Sequence, residues 1–343
     1  MTSYRSPTEG LKSTFPGEIT TKTGTGSNEQ EGPRSVPIRK MPLDRLSEEE
    51  LAAKYNIKPQ IGDYRLISTL SYVRGQREVF LGERINAEEK VVLKRSQNGR
   101  YRRDKELQAI LKGYGEHKNL LLAEDFIDEE NIMVYRYISG GDLKSLEKMG
   151  PFTPQQIKNL FLGLCRATEY MHHCGVTHHD LKNSNIFLDT EPGLEIIQPK
   201  DLQSLERITP KIGDFELGWH RKVTDLALRP GQLAGTLPYM APEMIKRGVR
   251  NNPLNDVYAL AVIAFRLLTR AFPYSAAEGT NEQEQIAEIM EQHENGKIPS
   301  LIERNSEVSA DLEEVIQKGL ALDPKNRWLS PMKFGLHFAF TFR

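Results

Sequence analysis

The chain has 343 residues, 38% of them apolar and 27% charged, with a net charge of -1. That length supports one large domain or two modest ones, each with its own core. The near-neutral balance supplies no general field for nucleic acid or an anionic membrane surface, and the two cysteines, Cys165 and Cys174, lack the spacing of a zinc site.

Residues 1–43 are rich in Thr, Ser, Gly, Pro and charge, so they are expected to form a disordered tail. The lead-in at 44–63 contains "LSEEELAAKYN", a short helix in which Ser47 and Glu50 have capping-box spacing and Leu46, Leu51 and Tyr55 can share a side. From Tyr64 the pattern turns to strands, "YRLISTL", "REVFLGERI" and "KVVLKR". A helix follows at "RRDKELQAILKGY", then two more strands at "LLAEDFID" and "NIMVYRYI". After Gly140-Gly141 the chain reads as mainly helical, from "TPQQIKNLFLGLCRATEYMHHCG" to the apolar C-terminal stretch "WLSPMKFGLHFAFTFR". Strands first and helices afterwards predict an α+β, bilobal architecture, with a β-rich small lobe over 64–138 and a mainly α-helical large lobe over 139–343. A long stretch at about 189–207 reads as a surface insertion. It and the tail are possible docking elements for partners.

The most informative segment is "THHDLKNSNIFL", between a long helix and a short apolar strand. Phosphoryl transfer needs a carboxylate to orient a hydroxyl and take its proton, a cation near the transferred group and an oxygen ligand for a metal. Asp180, Lys182 and Asn185 supply these in that order. Next come "KIGDFELGW", with Asp214 and Phe215, then "GTLPYMAPE" and "DPKNRW".

In this order the segments resemble the catalytic loop, the metal-binding D-F-G motif and the A-P-E motif of the eukaryotic-type protein kinases, serine/threonine subgroup. The resemblance implies a bilobal kinase fold that binds ATP and Mg2+ and phosphorylates protein substrates. It makes Asp180 and Lys182 catalytic, and Asn185 and Asp214 metal ligands. Glu243 of the A-P-E segment should pair with Arg327, Thr236 should touch the catalytic aspartate and lysine, and Asp256 should brace the loop. "KVVLK" resembles V-A-I-K and nominates Lys94 for the phosphates, paired with Glu106 in the following helix. In "MVYRYISGGDL" Tyr135 falls at the gatekeeper position. Tyr137 and Ile138 fall at the adenine-facing backbone, and Asp142 near the ribose. Val79, Val92 and Phe187 fall where the family sandwiches adenine, and Gly75 lies in the phosphate loop.

Three departures stand out. "LSYVRGQREVF" holds one glycine, Gly75, where the family has three, and Arg74 or Arg77 could help neutralise phosphates there. Glu216 stands where the family has glycine after Asp214-Phe215, and His179 replaces the arginine that gathers an activation-segment phosphate. These departures motivate a second reading, a pseudokinase scaffold. Small-molecule kinases of the aminoglycoside or choline type use a similar loop but lack "GTLPYMAPE". The absence of a long apolar run and of a signal core predicts a cytoplasmic chain with no membrane contact.

Overall fold

The computed structural model describes residues 41–42, 47–73, 77–87, 89–96, 98–190, 208–223, 233–248, 250–277 and 279–342. The tail at 1–40, most of the 189–207 insertion, Leu46, Arg74 and Gly75 lie outside the described residues.

The small lobe is a seven-stranded sheet in the order β1-β3-β4-β5-β7-β6, with β2 also paired to β3. Its strands are β1 (Met41–Pro42), β2 (Gln60–Ile61), β3 (Tyr64–Val73), β4 (Arg77–Arg84), β5 (Glu89–Ser96), β6 (Asp125–Ile127) and β7 (Ile132–Arg136). Alternation gives this sheet two faces. Tyr64, Leu66, Phe80, Val91, Leu93, Ile132 and Val134 form the outer core. Helix α1 (Glu48–Tyr55) closes that core. Ser47 and Glu50 cap it reciprocally at 2.7 and 3.2 Å, and Tyr55 meets Phe80 edge to face at 6.2 Å. Arg95 donates to the carbonyls of Tyr55 and Asn56 and tethers the helix end to β5.

The inner face carries Met133, Tyr135 and Ile138, with Val92 and Phe187 packed against them. It looks onto α2 (Asn98–Gly113) and the large lobe. The strand expected over 121–128 is shorter than its apolar run suggests. Leu121 N–H donates to Ile212 O at 2.8 Å, and Ala123 N–H to the Gln108 side chain at 2.6 Å. These partners draw Leu121 and Ala123 away from the sheet, and only β6 remains.

Gly140 and Gly141 connect the lobes. A Cβ on Gly140 would fall 2.0 Å from the Leu188 carbonyl oxygen, so the close crossing of the two backbones requires glycine. The large lobe then runs through α3 (Leu143–Leu146), α4 (Pro154–His173), the β8 (Ile186–Asp189) and β9 (Thr209–Ile212) hairpin, α5 (Pro242–Arg247), α6 (Leu254–Thr269), α7 (Glu282–Glu294), α8 (Ala310–Gly319) and α9 (Pro331–Thr341). Thr153 and Gln156 form a capping box on α4, with Pro154 at its first position. Helix α6 is buried along nearly its whole length and forms the lobe's axis. The C-terminal stretch packs and is also partly exposed. Phe334 and Phe338 lie against Phe161 of α4 at 4.9 and 4.3 Å, while Leu336 and Phe340 face outward. No described helix is long and apolar enough to cross a membrane.

Candidate active site

The segment between α4 and β8 is fixed from below by Asp256, in the first turn of α6. Its carboxylate accepts from the backbone N–H of His178 and of His179, both at 2.9 Å, and contacts His172 Nε2 at 2.9 Å. Burial would raise its pKa, but the His172 hydrogen bond and the nearby imidazoles outweigh burial and hold it below the usual carboxylate range. Two fixed amides set the direction of the next residue, Asp180. His179 sits at φ 62°, a left-handed conformation that aims its neighbours.

Asp180 is enclosed by the residues that follow it. Lys182 Nζ lies 2.7 Å from Asp180 Oδ2 and donates to Thr236 Oγ1 at 2.8 Å. Thr236 in turn donates to Asp180 Oδ1 at 2.8 Å. Asn185 Nδ2 donates to the Asp180 carbonyl at 2.9 Å and to Oδ2 at 3.0 Å. Asp180, Lys182, Asn185 and Thr236 therefore form one network. Beneath it, Arg327 is 2% exposed and bidentate on Glu243 at 2.7 and 2.8 Å. Its other three donors reach the carbonyls of Ala321, Leu254 and Leu322, so the full guanidinium complement is satisfied.

Across the cleft Lys94 meets three carboxylates. Its Nζ is 2.7 Å from Asp214 Oδ1, 2.7 Å from Glu216 Oε1 and 3.4 Å from Asp104 Oδ2. Burial lowers the lysine's proton affinity, but the three carboxylates outweigh it and raise the pKa, so Lys94 is fully charged. Burial pushes Asp104 up to about 6 against the pull of Lys94. Asp214 moves the other way. Burial opposes its ionisation, yet Lys94 and Arg77 hold it well below the ordinary carboxylate range. Glu216 is also shifted down, burial again being outweighed by Lys94, and it accepts from Ser96 Oγ at 2.8 Å.

The expected partner of Lys94 is corrected here. Glu106 is half-buried and pairs with Arg102 at 3.0 Å one turn earlier, while Asp104 faces the lysine. Residues two apart on a helix point to different sides. Asp104, Leu107, Gln108 and Leu111 are all fully buried, an i, i+3, i+4, i+7 stripe that places Asp104 on the inward face. That signal was available in the sequence.

Among the other nominated residues that are described, Val92, Ile138 and Phe187 come together in one apolar cluster. Val79 lies opposite Lys94 in the β4–β5 register, and Val92 opposite Tyr135 in the β5–β7 register. Tyr137 donates its N–H to Lys90 O at 3.3 Å, and its ring lies under the Lys90 ammonium. Asp142 caps α3, accepting from Ser145 N–H at 2.9 Å and Ser145 Oγ at 2.8 Å. Phe215 is buried against His178 with ring centroids 5.3 Å apart.

Two arginine contacts also lie outside the expected set. Arg77 Nη1 lies 2.9 Å from Asp214 Oδ2, and Arg100 Nη1 lies 3.6 Å from Glu216 Oε2. The carboxylate oxygens of Asp104, Asp214 and Glu216 come within 4.8 Å of one another. These three carboxylates form an oxygen-rich donor set of the kind that suits a small hard cation.

A model of the protein kinase domain matches residues 75–335. The serine/threonine-protein kinase PknD of Chlamydia caviae is 31% identical over 172 residues, which is 50% of this chain and 18% of that protein. The serine/threonine-protein kinase PrkC of Bacillus subtilis is 25% identical over 232 residues, 67% of this chain and 31% of that protein. Aurora kinase of Saccharomyces cerevisiae is 26% identical over 243 residues, 70% of this chain and 57% of that protein. The matched segment thus covers less than two thirds of each relative's own length. The chain belongs to the eukaryotic-type protein kinase family, as a divergent member of its serine/threonine subgroup.

Proposed function

We propose that the chain is an active serine/threonine protein kinase that transfers the γ-phosphoryl group of MgATP to protein hydroxyls. The observation that carries this reading is the closed network of Asp180, Lys182, Thr236 and Asn185. In the proposed reaction a substrate hydroxyl oxygen attacks the γ-phosphorus and the bond to the β–γ bridging oxygen breaks. The hydroxyl proton passes to Asp180, and ADP leaves. Lys182 sits where it can offset charge on the transferred group. Lys94, on β5, would contact the α- and β-phosphates. The apolar inner face with Val79, Val92, Ile138 and Phe187 suits a flat base, with the Tyr137–Ile138 backbone alongside.

Asp214 and Asn185 would hold magnesium, which when bound neutralises phosphate charge. The residues present fit that role by donor type, and Glu216 adds a carboxylate beside it.

A scaffold without transfer is the second reading. Its support is that both Asp214 oxygens are already ion-paired, to Lys94 and to Arg77. Incubation with γ-labelled MgATP and a protein acceptor, followed by phosphoamino-acid analysis, separates the two. The kinase reading predicts label on serine or threonine. Label on tyrosine alone contradicts the subgroup, and no label on any of several acceptors moves the weight to the scaffold.

A further inference from the structure

The Arg77–Asp214 contact is the feature of the cleft that the proposed reaction leaves unused. Arg77 opens β4 and pairs across to Ser96, while Val79 pairs across to Lys94. Cross-strand partners share a sheet face, and so do residues two apart on one strand. Arg77, Val79 and Lys94 therefore project into the same cleft. The guanidinium and the ammonium then divide one carboxylate, Arg77 on Oδ2 at 2.9 Å and Lys94 on Oδ1 at 2.7 Å. A phosphate chain that reaches Lys94 is within reach of Arg77.

The guanidinium is also short of acceptors. It carries five N–H donors, and its Nε is buried without a hydrogen-bond partner. The side chain as a whole remains 42% exposed, so it has room to turn. An under-used fork beside a phosphate-binding lysine suits a phosphate, whose oxygens accept two parallel N–H···O bonds. The sequence adds a reason for such a donor. With one glycine in the segment before β4, the sequence offers fewer bare backbone amides for a phosphate.

We propose that Arg77 is a phosphate-binding residue of the nucleotide site. In the free protein its guanidinium neutralises Asp214. When a nucleotide enters, the guanidinium turns from Asp214 Oδ2 to the phosphate oxygens and leaves that carboxylate oxygen open to a metal. The inference rests on the nucleotide reading above and adds a specific ligand to it. It also explains why both Asp214 oxygens are paired in a chain that retains Asp180, Lys182 and Asn185.

The test is calorimetric titration of the full chain, wild type and Arg77→Met, with MgATP and separately with adenosine. Arg77→Lys serves as the conservative variant. Loss of a bidentate charge-assisted contact predicts MgATP binding weakened by about tenfold or more in Arg77→Met. Adenosine, which lacks phosphates, should bind both proteins equally and reports that the variant is folded. Arg77→Lys keeps the charge without the fork and should fall between the two. The proposal is overturned if Arg77→Met binds MgATP as tightly as wild type or more tightly, or if it loses adenosine and MgATP to the same extent. Wild-type protein that binds neither ligand overturns the nucleotide reading itself. Wild-type protein that binds both ligands equally tightly overturns only the role of phosphate contacts.

Discussion

At the scale of single residues, the site depends on which carboxylate meets which cation. Lys94 is held by Asp214, Glu216 and Asp104, two of which come from the segment after β9 and one from α2. Tying the lysine to Glu216 couples its position to the start of the activation segment as well as to the helix. Truncating one member of a buried charge cluster leaves the others under-compensated. Asp104→Ala is therefore expected to lower kcat/KM for phosphoryl transfer by about tenfold or more. Glu106→Ala removes only an exposed i, i+4 pair, worth about 0.3–0.5 kcal/mol, and should leave the kinetics unchanged. Steady-state kinetics on the two variants decide this, and equal effects would contradict the assignment of Asp104. Asp104 was legible in principle from its stripe with Leu107 and Leu111. The Arg77–Asp214 contact was not, because 137 residues separate its partners and no local spacing encodes it.

At the scale of elements, periodicity and capping chemistry carried the most information. The strands β3, β4, β5 and β7 follow their apolar alternation, and α4 begins at the Thr153–Gln156 box. The failure over 121–124 has a physical cause. A helix side chain and the neighbouring hairpin satisfy the amides of Leu121 and Ala123, so an apolar run did not become a strand. The short stretch just after Glu216, at the start of the activation segment, is anchored in a similar way. Arg103 of α2 donates to Gly218 O, and Arg250, after α5, donates to Leu217 O. Burial lowers the pKa of His179 to about 4, so at neutral pH it offers no charge to a phosphate. Activity is accordingly expected not to depend on phosphorylation of that segment. Thr224 is one of the few hydroxyl acceptors that the sequence offers between Asp214 and the A-P-E segment. Thr224→Ala should transfer phosphate at the wild-type rate, and a large loss of transfer in this variant would contradict the argument.

At the scale of the whole molecule, the motif order was enough to foresee two lobes and the cleft between them, because each motif fixes both a chemical group and its place in the chain. Global stability carries a pH signature of the same burial. Burial lowers His179 and His293 to about 4, well under the ordinary imidazole value of 6.5. Between pH 6.5 and 4 the unfolded chain binds protons at these positions that the folded chain does not, so stability rises with pH across that window. Asp104, raised to about 6, acts in the opposite sense from about pH 4 to 6, since its folded form holds the extra proton. Two histidines against one aspartate predict a melting temperature that falls as pH is lowered from 7 to 5. The slope should be shallower in His293→Gln, which removes one of the two groups. A flat profile, or one that rises toward acid, would contradict the burial of these imidazoles.

The central claim is that Asp180, held by Lys182, Thr236 and Asn185, is the group that takes the substrate proton. The most direct measurement compares wild type and Asp180→Ala in γ-phosphoryl transfer, with MgATP affinity and melting temperature followed in parallel. The account predicts that transfer is lost while nucleotide binding and folding persist. Transfer that continues at the wild-type rate in Asp180→Ala would contradict it.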